Sequence, residues 1–135
     1  MAWRSKSKVR RNAQRKGYRS GFELRISEQL KEANVPIAYE DTAIEYTKPA
    51  TQHKYTVDFR LPNGILIEAK GRWTLEDRKK HLLVREQNPN LDIRIVFQSP
   101  NNKIRKGSKT TYAAFCDKHG IKWADKSIPE SWLKA

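Results

Sequence analysis

The chain has 135 residues and a formal charge of +13, from 28 Lys and Arg against 15 Asp and Glu. That length suits one domain around one core, no apolar run approaches the roughly 20 residues that a membrane helix needs, and no apolar stretch follows Met1-Ala2-Trp3-Arg4 to suggest a secretory leader. A single cysteine, Cys116, excludes an intramolecular disulfide and a cysteine-based zinc cluster, so a reducing compartment is expected.

The charge is uneven. Residues 1–16 carry Arg4, Lys6, Lys8, Arg10, Arg11, Arg15 and Lys16 and no acid. Such a segment cannot bury enough apolar surface to fold alone and reads as a disordered basic arm. Its natural partner is a polyanion, bound through counterion release. A solubility or targeting tail is the plainer alternative. A membrane partner is not expected, because Trp3 is the only large apolar anchor near the start. Residues 17–135 then form the single folded domain.

Helix signals begin at Ser20. Phe22, Ile26, Leu30 and Ala33 recur on one helical face, and Val35-Pro36 ends it. Ser20-x-x-Glu23 is also a capping-box pattern, which gives Glu23 a purely structural reading. Residues 37–46 read as one bent strand or two short ones. Residues 47–51 read as a connector, since Pro49 cannot donate a ladder bond.

Residues 55–70 are the most informative. Pro62-Asn63-Gly64 is a turn signal between two alternating runs. Val57, Phe59, Leu61, Ile65, Ile67 and Ala69 occupy the odd positions; Asp58, Arg60, Glu68 and Lys70 lie at even ones. Partners across a hairpin share a face, so one apolar face requires paired numbers with an even sum. With Asn63 at the centre, Asp58 lies opposite Glu68, and Lys70 stands on the same face.

Thr74, with Asp77 three residues on, starts a second helix that runs to about Gln87, with Leu75, Leu82 and Leu83 facing the core. Leu91, Ile93, Ile95 and Phe97 alternate as a strand. Residues 99–109 form a basic loop. Residues 111–119 read as a short helix ended by Gly120, and 121–124 as a last edge strand. The order α-β-β-β-α-β-α-β implies an α/β (α+β) fold, a mixed sheet flanked by helices.

Two carboxylates close together on one face are costly unless a cation lies between them. Mg²⁺ commonly takes one or two carboxylates plus water and phosphate oxygens, and acidic ligands in a basic chain make sense if the substrate is nucleic acid. Lys70 could then orient a water or stabilise phosphate charge. A solvated face, with Asp58 and Glu68 paired to Arg60 or Lys70, remains the open alternative. His53, His81 and His119 match no zinc spacing and read as surface or hydrogen-bonding residues. Cys116 reads as buried rather than nucleophilic. Arg72, Arg78, Lys79, Lys80, Arg85, Lys103, Arg105 and Lys106 are candidate phosphate contacts, together with the arm.

Asp58, nine residues, then Glu68-Ala69-Lys70, after a helix carrying Glu23, resembles the PD-(D/E)XK nuclease core. Val57 stands where that motif has proline. The wider context is sharper: Ser20-Gly21-x-Glu23, Tyr55-Thr56-x-Asp58-Phe59, Leu61-Pro62-Asn63-Gly64-Ile65, Glu68-x-Lys70-Gly71, Asp77-Arg78-Lys79-Lys80-His81 and Lys118-His119-Gly120-Ile121-Lys122. Over residues 17–133 the sequence is similar to the phage T-seven endonuclease I family of Holliday-junction-resolving enzymes.

The resemblance implies a Mg²⁺-dependent endonuclease, with Mn²⁺ as substitute, that acts on four-way and other branched DNA. It implies paired nicks leaving 5′-phosphate and 3′-hydroxyl ends. Asp58, Glu68 and the Ala69 carbonyl would hold metal, Glu23 would be a further acidic ligand, and Lys70 the catalytic lysine. The family implication extends to an intertwined, domain-swapped homodimer bridged near residues 46–51, working in the cytoplasm of a bacterial host. The alternatives are a non-catalytic nucleic-acid-binding module and a nuclease of the same core that cuts linear duplex.

Overall fold

The computed structural model describes residues 17–48 and 51–134. The expected basic arm lies outside the described residues, as do Pro49 and Ala50. In chain order the elements are α1 (Gly21–Glu32), β1 (Tyr39–Lys48), β2 (Thr51–Arg60), β3 (Leu66–Lys70), α2 (Leu75–Gln87), β4 (Ile93–Phe97), α3 (Tyr112–Lys118), β5 (Trp123–Asp125) and α4 (Glu130–Leu133). The expected order holds, with α4 added at the end. The strands form one mixed sheet in the order β1-β2-β3-β4-β5. The first three are antiparallel; β3, β4 and β5 are parallel. A parallel return from β3 to β4 requires a crossover, and α2 supplies it.

Local chemistry explains the boundaries. Thr74 and Asp77 form both halves of a capping box, at 3.2 and 3.3 Å. In the β2–β3 turn the Asn63 side-chain oxygen accepts the Ile65 N–H at 3.1 Å, and Gly64 adopts a φ of 91° that a side chain would resist. Phe59 pairs with Ile67 and Arg60 with Leu66. That is the register centred on Asn63.

The apolar positions distribute differently from the expected single face. Phe59, Leu61, Ile65 and Ile67 pack with Phe22, Ile26 and Leu30 of α1. Val57 and Leu66 instead join Ile44, Tyr46 and Ile93 around Val84 of α2. A third cluster gathers Trp73, Ile95, Phe97, Tyr112, Cys116 and Ile121. Helices cover both sides of the sheet, so its inner strands bury both faces and need not alternate. All five residues of β4 are buried for that reason.

Other expectations shift with the same cause. Leu75 is 57% exposed and Leu91 41% exposed. Leu82 and Leu83 pack against the core, partly buried, as expected, while the fully buried residues of α2 are Arg78, His81 and Val84. Leu91 precedes β4 and is not part of it. Ala33 caps α1 and faces out. The connector is shorter than expected: β1 runs through Thr47 to Lys48, which pairs with Thr51, because only Pro49 lacks a ladder donor. The 37–46 segment is one bent strand, with a bulge between Tyr39 and Thr42. His81 is fully buried between Tyr55 and Trp73, ring centroids 6.3 and 5.9 Å away. Burial pushes it down to about 3, so it stays neutral. Trp132 lies under the Arg94 guanidinium at 5.1 Å, which anchors α4.

Candidate active site

Four elements deliver the acidic cluster. Glu23 sits in the first turn of α1, where the helix dipole favours negative charge. The Ser20 hydroxyl accepts the Glu23 N–H at 3.1 Å, one half of a capping box. The Glu23 carboxylate turns elsewhere: Oε1 accepts the Tyr39 hydroxyl at 2.7 Å, and the Ser20 hydroxyl donates to Oε2 at 3.3 Å. This contrasts with Asp77 in α2, whose carboxylate caps the backbone.

Asp58 stands where β2 meets the β1 bulge. Tyr39 faces Phe59 and Thr42 faces Val57, so Glu40 and Asp41 together oppose Asp58. Such a bulge re-aims the side chains beside it. On the other side, the expected rung between Asp58 and Glu68 does not form. The β2–β3 ladder stops at Phe59 and Ile67, and Asp58 Oδ2 accepts the Ala69 N–H at 2.9 Å in its place. The carboxylate thus stands in for a missing backbone acceptor, which fixes its orientation.

Glu68 arrives from β3. Its Oε1 is buried without a hydrogen-bond partner, Lys70 Nζ lies 3.7 Å from Oε2, and the neighbouring Tyr55 hydroxyl favours the charged carboxylate. Glu23, Asp58 and Glu68 are only 5%, 4% and 2% exposed. Burial, then the charge of Glu23, pushes the Asp58 carboxyl from 3.8 up to about 7. Burial, then the charge of Asp58, pushes Glu68 from 4.5 up to about 8. Lys70 opposes both shifts without cancelling them. Dry, mutually repelling carboxylates at the end of a split ladder are the arrangement that a cation relieves.

Sequence reasoning therefore brings Glu23, Asp58, Glu68, Ala69 and Lys70 to one place. It misses Glu40, Arg19, Tyr39 and Tyr55. No spacing rule marks them; the bulge carries Glu40 and Tyr39 in. One oxygen each from Glu23, Glu40 and Asp58 lies within 4.8 Å of the others. The donors are all carboxylate oxygens, and Glu68 keeps an orphaned buried oxygen nearby. This chemistry fits a hard divalent cation such as Mg²⁺ or Mn²⁺.

The bases divide into two groups. Arg72, Lys103, Arg105 and Lys106 line one groove of about 430 Å³, with Leu75 at its wall. Lys79 is exposed and Lys80 half-buried on α2. Arg78 departs from the expected phosphate role. It is 4% exposed and donates to the Trp73 and Ile104 carbonyls at 2.8 and 3.1 Å. A buried guanidinium already bound to carbonyls cannot reach a phosphate. Arg85 is half-buried and donates to the Ile93 carbonyl at 2.8 Å.

The sequence profile described as phage endonuclease I matches residues 1–135. The chain belongs to that family. It is 56% identical to "Endonuclease I" of Escherichia phage T7 over 117 residues, 87% of this chain and 78% of the relative. It is 52% identical to "Endodeoxyribonuclease 1" of Enterobacteria phage T3 over 124 residues, 92% of this chain and 82% of that relative. Among the described residues, no helix of this family member is long and apolar enough to cross a membrane.

Proposed function

We propose that the protein is a Mg²⁺- or Mn²⁺-dependent DNA endonuclease that resolves four-way junctions and other branched DNA. The nicks are paired and leave 5′-phosphate and 3′-hydroxyl ends. The observation that carries this reading is the cluster of buried Glu23, Asp58 and Glu68 beside Lys70, in a chain of charge +13. Without a cationic occupant such a cluster would repel phosphate and destabilise the fold.

Asp58, Glu68 and the Ala69 carbonyl would hold the cation, with Glu23 as a further acidic ligand. Once bound, it would supply polarisation of a phosphate oxygen and acidification of a water. The chain's own residues do the positioning. The Ala69 N–H holds Asp58, and Tyr39 holds Glu23. Lys70, beside Glu68, reaches the reacting phosphate to orient the attacking water or to stabilise developing charge. Arg72, Lys103, Arg105 and Lys106 neutralise backbone phosphates.

Selectivity is for shape, because a dimer must place two active sites on two strands of a branched structure. The β1–β2 hairpin closes within one chain here. Opening near residues 46–51 and pairing with a second copy would preserve the same rungs in a swapped homodimer. A PD-(D/E)XK core with Val57 at the proline position accommodates this site. The work would take place in the cytoplasm of the phage's bacterial host.

The test is a nuclease assay on an immobile four-way junction and a linear duplex of the same arm sequence, in Mg²⁺, Ca²⁺ and EDTA. The expected result is cutting near the branch point of the junction alone, in Mg²⁺ alone. Equal cutting of linear duplex refutes junction selectivity and leaves a duplex nuclease. Tight binding without cutting in any metal refutes catalysis and leaves a binding module.

A further inference from the structure

We propose that Arg19 serves as a built-in cation of the acidic cluster and competes with the divalent ion for it. This rests on reading the cluster as a metal centre. Arg19 Nε lies 2.6 Å from Glu40 Oε1, and Nη2 lies 3.6 Å from Asp58 Oδ1. Its backbone N–H donates to the Tyr39 hydroxyl at 3.1 Å, the same hydroxyl that holds Glu23. The guanidinium thereby meets two members of the Glu23, Glu40 and Asp58 trio, whose oxygens sit close enough to share one ion.

The arrangement is built to be displaced. The Arg19 side chain is 68% exposed. It lies at the mouth of the cluster and can swing out without unpacking the core. An ion pair in such a position is weak. Glu40 holds the guanidinium there from a left-handed backbone, φ 51°, within the bulge. A residue kept in that sparsely populated region is held by its surroundings. A divalent ion and a guanidinium a few ångströms apart repel, so the two occupy the cluster in turn. Arg19 keeps the ion-free protein from accumulating unrelieved negative charge, and sets the ion concentration at which the site fills.

The experiment measures Mn²⁺ binding to the full chain without DNA, from the paramagnetic resonance signal of free Mn²⁺. The proteins are wild type, Arg19→Ala, Arg19→Gln and Lys31→Ala. Lys31 is exposed in the last turn of α1 and controls for net charge. Both Arg19 variants should bind about tenfold more tightly than wild type, from loss of a unit charge a few ångströms away, and Lys31→Ala should not. Arg19 variants that bind no more tightly than the control overturn the competition and leave the metal centre standing. No Mn²⁺ binding by any protein overturns both readings.

A second readout needs no variant. Phenylglyoxal modification of Arg19 in the wild-type chain, followed by peptide mass spectrometry, should accelerate when Mn²⁺ saturates, since linkage between the two ligands is reciprocal. An unchanged or slower rate overturns the proposal.

Discussion

Replacing Glu68 by Gln should stabilise the ion-free protein while abolishing cleavage. Glu68 is 2% exposed with one oxygen unpartnered. Raising a carboxyl from 4.5 to about 8 corresponds to roughly 5 kcal/mol at about 1.4 kcal/mol per tenfold. The incoming amide is itself buried, and an imperfectly bonded polar group costs about 1–3 kcal/mol. The net expectation at alkaline pH is a gain of about 2–4 kcal/mol, at roughly 3–4 °C for each kcal/mol in a domain of this size. The sign follows from linkage. The folded value lies above the unfolded one, so stability is complete below about pH 4.5 and is lost as pH rises through about 8. Thermal unfolding in EDTA at pH 5 and pH 9, at one protein concentration, reads this directly. The variant should gain at pH 9 and not at pH 5, and Mg²⁺ should raise the wild type alone. A difference of equal size at both pH values would refute the reasoning, because burial of charge would then not be its cause.

Lys70→Ala should lower the cleavage rate by about 10²–10³-fold and leave junction binding intact, checked by single-turnover assay and gel shift. Phe59→Ala, at a residue with no exposure, should destabilise by about 3–5 kcal/mol in denaturant unfolding. Thr74→Ala removes the Thr74 side chain's half of the α2 capping box and should lower stability by about 1 kcal/mol. Arg105→Ala with Lys106→Ala, both lining the basic groove, should flatten the salt dependence of DNA binding by about two phosphate equivalents.

The site was legible where chemistry follows local pattern. The even-sum register about Asn63 comes from alternation and a turn signal, and Phe59 pairs with Ile67 as that rule requires. Thr74 and Asp77 mark the helix start by themselves. The face of Val57 and Leu66 was not legible, because it depends on α2 covering the second side of the sheet, a long-range fact. Leu75 looks like a core residue by spacing and is not one, since the buried stripe of α2 runs through Arg78, His81 and Val84. In sequence Glu23 reads first as a cap, and as a ligand only through the family resemblance; the Tyr39 hydroxyl at 2.7 Å shows the carboxylate turned from the cap toward the cluster. Glu40 enters only through a one-residue bulge, and no periodicity encodes which residue a bulge turns inward.

The end of α2 also touches the outer strand of the sheet. Gln87 accepts the Thr47 N–H at 2.6 Å and donates to the Thr47 carbonyl at 2.7 Å, and Asn88 reaches the Glu45 carbonyl at 3.4 Å. β1 borders the sheet, and a bare border invites another chain to add a strand. The Gln87 amide, carrying one donor and one acceptor, imitates a single residue of such a strand and occupies the slot first. A newcomer must evict it before zipping along β1. One glutamine thus covers the Thr47 position of that border, and a change to Glu, which removes the donor, is expected to weaken this cover while leaving the core untouched.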